Sequence, residues 1–139
     1  MNQNVEKAWI NYLLIVAYWI ATMEGYFRPG SISARQNNPG NLRSWGSNPV
    51  VGGFAAFPDP AAGWRALYSQ ISLNTGRGLS MYEFFGGKAG VYPGYAPAAD
   101  NNRPREYARF ISGKLPQNRP DMPLDAYFWS NVDNLARMS

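Results

Sequence analysis

The chain contains no cysteine and no histidine. Lacking cysteine, it can build neither a disulfide framework nor a thiolate metal site. Lacking histidine, it cannot assemble Ser–His or Cys–His nucleophilic pairs, histidine zinc sites or imidazole acid–base chemistry. Any catalysis therefore falls to carboxylates, tyrosine, lysine or hydroxyls, and no metal and no organic cofactor is expected. Charge is also sparse: Asp, Glu, Lys and Arg make up 16% of the residues, with a net charge of +4. The positive residues, among them Arg28, Arg35, Arg43, Arg65, Arg77, Arg103, Arg105 and Arg109, are scattered rather than run together, so nucleic acid is not an expected partner. The excess suits a polyanionic surface as well as simple solubility.

What is present is aromatic, glycine-rich and proline-rich. A length of 139 residues is enough to bury a core without staples, and a single domain over 1–139 is expected, as a monomer. The first strong periodicity runs through Val5, Trp9, Tyr12, Leu13, Val16, Trp19, Ile20 and Met23 at three- and four-residue steps, which predicts a helix. Its other positions, including Ile10, Leu14, Ile15, Ala17 and Tyr18, are apolar too, as in a central helix covered on several sides. The stretch is short of the roughly 20 apolar residues of a membrane span, and Asn11 and Thr22 interrupt it. No stable span is expected; use of this helix as a signal-anchor stays open.

Gly25 stops that helix, and a polar, ordered-looking loop over 31–49 follows. Val50-Val51-Gly52-Gly53-Phe54-Ala55-Ala56-Phe57 carries two short extended pieces around a Gly-Gly turn, which reads as a small β-hairpin. Asp59 and Pro60 are placed as N-cap and first residue of a second helix that ends before Gly76. Ser80 and Glu83 form a capping-box pattern that opens a third helix, failing at Gly86-Gly87. Asn102 is the expected cap of a fourth, with Pro104 in its first turn and Tyr107, Phe110 and Ile111 inward. Leu124, Phe128, Val132, Leu135 and Met138 mark a last amphipathic helix. The fold class is thus α+β, mainly α-helical, with a small hairpin.

Glu24 carries the most chemical information. It follows Val16 and Ile20 at four-residue spacing off the most apolar helix, so it points inward, where lost solvation would raise its pKa and keep it protonated near neutrality. The alternative is an ordinary ion pair with Arg28 or Arg43. Asn37, Asn38 and Asn41 offer amides of the kind that hold sugar hydroxyl and acetamido groups, although asparagine beside Pro-Gly also serves turns. Phe54, Phe57 and Trp64 could form a sugar-stacking wall, the core reading being the safer one for Trp64.

Several segments occur in an order known elsewhere: Met23-Glu24-Gly25-Tyr26, Pro29-Gly30-Ser31, Arg35-Gln36-Asn37-Asn38-Pro39-Gly40-Asn41-Leu42-Arg43, Gly53-Phe54-Ala55-Ala56-Phe57-Pro58 and Ala62-Gly63-Trp64-Arg65-Ala66-Leu67. In these the chain resembles the lysozyme-like, lytic-transglycosylase-type cell-wall hydrolases of bacteriophages and prophages. Arg77-Gly78-Leu79 and the later Tyr95-Ala96-Pro97, Asp100-Asn101 and Tyr107 are weaker matches. The resemblance covers about the first half of the chain, and Gln36 departs from it, standing where the family often has asparagine. It implies a lysozyme-like fold and cleavage of peptidoglycan glycan strands in the periplasm or on the wall of a bacterial host. It further implies Glu24 as catalytic acid/base, a groove lined by the Asn37–Asn41 loop with Arg43, Phe54 and Tyr95 nearby, and a tyrosine beside the acid, for which Tyr107 is the candidate. A hydrolase would need a second carboxylate; Asp100 is the better candidate, because Asp59 sits where a cap is wanted. A lytic transglycosylase needs only one. Hydrolytic muramidase or glucosaminidase activity, and a non-catalytic wall-binding virion protein, are the competing readings.

Overall fold

A computed structural model describes residues 3–96 and 102–115. Its elements are α1 (Gln3–Met23), α2 (Ile32–Arg35), β1 (Val50–Val51), β2 (Phe54–Ala55), α3 (Pro60–Thr75), α4 (Met81–Gly86) and α5 (Pro104–Ser112). The protein is therefore mixed α+β: mostly helices, with one two-stranded antiparallel sheet among the described residues. The chain forms two compact units, one of Val16–Ile71 and one of Met1–Ile15 with Ser72–Ser139.

In the first unit, α1 ends in the hydrogen-bond pattern that a glycine in left-handed conformation permits. Gly25 has φ +77; its N–H donates to the Thr22 carbonyl at 3.1 Å, and the Tyr26 N–H reaches back to Ala21 at 3.0 Å. This paired closure satisfies carbonyls that a helix end leaves open. Gly52 and Gly53, at φ +61 and +87, provide the turn that pairs Val50 with Ala55 and Val51 with Phe54, as a two-residue hairpin requires. At the start of α3, the Asp59 carboxylate accepts from the Ala62 N–H at 2.8 Å, so Asp59 is the expected cap.

Gly63 explains how α3 seats against the preceding loop. A Cβ there would collide with the Asn37 carbonyl oxygen and lie 2.9 Å from Pro39 Cδ. Only a residue without a side chain lets the loop backbone press against the helix, which gives this interior helical glycine a packing reason despite its weaker propensity.

In the second unit, the capping box of α4 is present as read, with Ser80 and Glu83 each accepting from the other's backbone N–H. α4 packs on α5, where Gly86 lets Pro104 approach. Phe84 and Phe85 are fully buried there, and the ring of Phe85 meets that of Tyr107 at 5.7 Å.

Four local expectations change. Within the 31–49 loop the chain makes one helical turn, α2, because Ser31 caps it by accepting from the Ala34 N–H at 3.0 Å. The cap position of α5 belongs to Arg103, not Asn102, and makes no side-chain cap bond. Phe110 is exposed; Ala108 and Ile111 fill the inner face. And α1 is not covered all round: Ile10, Leu14 and Tyr18 are 43%, 44% and 48% exposed, a one-sided stripe at four-residue spacing. No helix among the described residues is long and apolar enough to cross a membrane. The expected last helix over 124–138 lies outside the described residues.

Candidate functional site

Glu24 stands one residue past α1, its N–H still bonded to Ile20 at 2.9 Å. That bond keeps the helical direction, so the side chain follows Val16 and Ile20, which are buried, as the spacing predicts. Burial pushes the Glu24 pKa up to about 7 against a hydrogen bond from Asn41 that lowers it. Losing water penalises the ionised carboxyl more than the neutral one, and one hydrogen bond does not restore what solvent supplied. Among the described residues no charged side chain contributes to the shift. Arg28 lies over the Gly25 backbone, its Nη2 2.7 Å from where a Cβ would be. Yet the ion-pair alternative, with Arg28 or Arg43, is not what sets Glu24.

The loop opposite Glu24 is rigidly tied. The Asn38 side chain is 0% exposed; its Nδ2 donates to the Leu42 and Ala55 carbonyls at 2.9 Å each, and its Oδ1 accepts from the Leu42 N–H at 2.9 Å. The Ser33 hydroxyl donates to the Asn38 carbonyl at 2.6 Å. Asn38 thus stitches α2, the loop and β2 together. It is not a sugar contact, because its amide is fully taken up by backbone groups and reaches no solvent. Asn37 is similar in part: it takes a left-handed φ of +53, a conformation asparagine tolerates, and donates to the Phe57 carbonyl at 3.2 Å.

Asn41 differs from both. It also has a left-handed backbone, φ +49, but its Nδ2 points at Glu24 Oε2 over 3.4 Å. Its Oδ1 is buried and has no hydrogen-bond partner among the described residues. Asn41 is held in place by its N–H to the Asn38 carbonyl at 2.9 Å, and the same brace sets the next residue, Leu42, whose carbonyl accepts from the Ala55 N–H.

Arg43 is exposed, and its guanidinium lies over the ring of the half-buried Phe54 at 5.3 Å, a cation–π contact. Phe57 is buried and belongs to the core. Trp64 packs edge-on against Tyr26 at 5.4 Å and beside Tyr68 at 5.9 Å, the packing role expected of it. Tyr95 and Tyr107 lie in the other compact unit. There Tyr95 meets Phe84 at 5.2 Å and Phe85 at 6.0 Å, and Tyr107 sits on Phe85. Asp100 lies outside the described residues. The structure therefore brings Glu24 together with Asn41 and, through the loop, with Asn37 and Asn38.

Two residues that shape this site were not legible as such. Ser31 caps α2 and also donates to the Gly25 carbonyl at 2.7 Å, clamping the turn just after Glu24; its only signal is a capping residue before a short apolar start. Gly63 positions the loop from behind, and its signal is a glycine inside a helical pattern, which calls for a packing reason. Among the described residues no group of His, Cys, Asp or Glu could hold a metal. Compared with known proteins, the chain matches no family model, no curated protein and no solved structure.

Proposed function

We propose that the protein is a lysozyme-like lytic transglycosylase that cleaves the bond between N-acetylmuramic acid and N-acetylglucosamine in bacterial peptidoglycan, acting on the host wall as a phage-type enzyme. The observation that carries this reading is a carboxyl at the end of α1 whose pKa, raised by burial to about 7, suits it to give and take a proton near neutral pH. The order of matching motifs around it, from Met23-Glu24-Gly25 through the asparagine loop, supplies the substrate class.

In this mechanism Glu24 donates its proton to the glycosidic oxygen as the bond to the anomeric carbon breaks. The muramoyl 6-hydroxyl attacks that carbon, and its proton passes to the Glu24 carboxylate, which restores the acid and leaves a 1,6-anhydro product. One carboxyl suffices. The preference over hydrolysis has a further support: Asp59 already serves as the cap of α3, so it is not a base held ready for water.

Digestion of purified peptidoglycan followed by mass measurement of the fragments tests the proposal. Anhydro-muropeptides are expected; products heavier by one water would make the protein a hydrolase, and binding to walls with no release of fragments would make it a non-catalytic wall-binding module. Glu24→Gln is expected to retain wall binding and lose cleavage by on the order of 100-fold or more, the usual contribution of a positioned acid. Full activity in that variant would remove Glu24 from the chemistry.

A further inference from the structure

The three asparagines of the loop are bonded differently. Asn37 and Asn38 direct their amides at backbone carbonyls, the use that a structured loop makes of such residues. Asn41 makes no such contact. Among the described residues its side-chain N–H goes to Glu24 Oε2, and its Oδ1 is left buried without a partner. Buried polar atoms are nearly always paired, so an amide kept half-satisfied on a left-handed backbone needs a reason. The reason available here is the carboxyl it faces.

We propose that Asn41 is a positioning residue for Glu24: its amide N–H holds Oε2 as an acceptor, so that the acid proton is carried on Oε1 and delivered from there. The chemistry follows from the donor inventory. In a protonated carboxyl the carbonyl oxygen is the stronger acceptor and the hydroxyl oxygen carries the donor, so an N–H aimed at Oε2 favours the form with the proton on Oε1. In the ionised state the same N–H stabilises the carboxylate. Asn41 therefore fixes which oxygen works as the acid and limits how far burial raises the acid's proton affinity. Other charges do not share this task. Arg28, from the turn after α1, Arg35, from α2, and Arg43, from the far end of the loop, do not contribute to the state of Glu24.

The proposal rests on Glu24 being the working acid, but its test does not require cleavage. The Glu24 carboxyl carbon is followed by NMR against pH in the wild-type chain and in Asn41→Leu, alongside the side-chain amide nitrogen of Asn41 in the wild type. The Glu24 midpoint is expected to rise in Asn41→Leu by about one pH unit, tenfold in its acid constant, an amount ordinary for loss of a carboxylate donor. The Asn41 nitrogen is expected to titrate with the wild-type Glu24 midpoint and to lose that transition in Glu24→Gln. A Glu24 midpoint that stays put in folded Asn41→Leu, or an Asn41 nitrogen that does not follow Glu24, overturns the proposal. Should Asn41→Leu not fold, the nitrogen titration in the wild type decides alone. In cleavage assays the alkaline limb should move upward with the midpoint; a higher KM with an unmoved limb would instead make Asn41 a substrate contact. If the wild type cuts no peptidoglycan, the proposed function fails while the titrations still decide the role of Asn41.

Discussion

Glu24 and Glu83 are both glutamates at helix ends, and their surroundings are opposite. Glu83 lies in the first turn of α4, where the helix presents N–H groups and favours negative charge. One of its oxygens accepts from the Ser80 N–H at 2.9 Å, and the other lies 3.9 Å from Lys88 Nζ. Glu24 lies just past the last turn of α1, the end that disfavours an anion, and it has one long hydrogen bond from an uncharged amide. Glu83 is a fitted part of the fold. Glu24 is held where its ionised form is poorly accommodated, an environment that brings a carboxyl's proton exchange toward neutral pH.

The comparison breaks most strongly if the scaffold on the Glu24 side is removed. Asn38→Ala takes away three buried hydrogen bonds, stripping the Leu42 N–H and the Ala55 carbonyl of the Asn38 amide and leaving the Leu42 carbonyl only its bond from the Ala55 N–H, so a loss of about 3 kcal/mol in unfolding free energy is expected. Chemical denaturation measures it; a loss below about 1 kcal/mol would mean that the loop does not depend on that amide.

A pH series sharpens the contrast at the next level. The folded Glu24 pKa of about 7 exceeds the ordinary value of 4.5. Below 4.5 both folded and unfolded forms are protonated. Between 4.5 and 7 the unfolded chain gives up its proton first, so it binds fewer protons than the folded one and stability falls as pH rises. Glu24 thus favours folding at low pH, and that contribution is gone above pH 7. The expected size is of the order of 2 kcal/mol after allowing for partial solvent contact. Glu24→Gln should flatten this slope and be the more stable protein at pH 8; equal slopes in thermal unfolding would contradict the burial of the charge.

The smallest expected effect is on the other glutamate. Glu83→Ala opens the capping box and should cost about 1 kcal/mol, read as a lower melting temperature, with no change in the acid–base behaviour of Glu24.

Most of the elements were legible because their signals are local. Gly25, Gly52-Gly53, Asp59-Pro60 and the Ser80–Glu83 box each set a backbone conformation within a few residues, and those boundaries follow from the sequence. Glu24 was legible too, because four-residue spacing from Val16 and Ile20 fixes its direction. The role of each asparagine was not. Asn37, Asn38 and Asn41 look alike in sequence, and only the arrival of β2 behind the loop takes up the amide of Asn38 while leaving that of Asn41 for Glu24. Phe110 was misplaced for the same kind of reason: on a nine-residue helix two faces accept an aromatic ring, and packing against α4 chose Ala108 and Ile111.

The most direct test of the account is the ionisation of Glu24 itself, followed through its carboxyl carbon by NMR between pH 3 and 9, with Glu24→Gln to assign the signal. A midpoint near 7 is expected for a carboxyl partly withdrawn from water at the end of α1. A midpoint near 4.5 would show an ordinary solvated carboxylate and contradict the assignment of Glu24 as the proton donor.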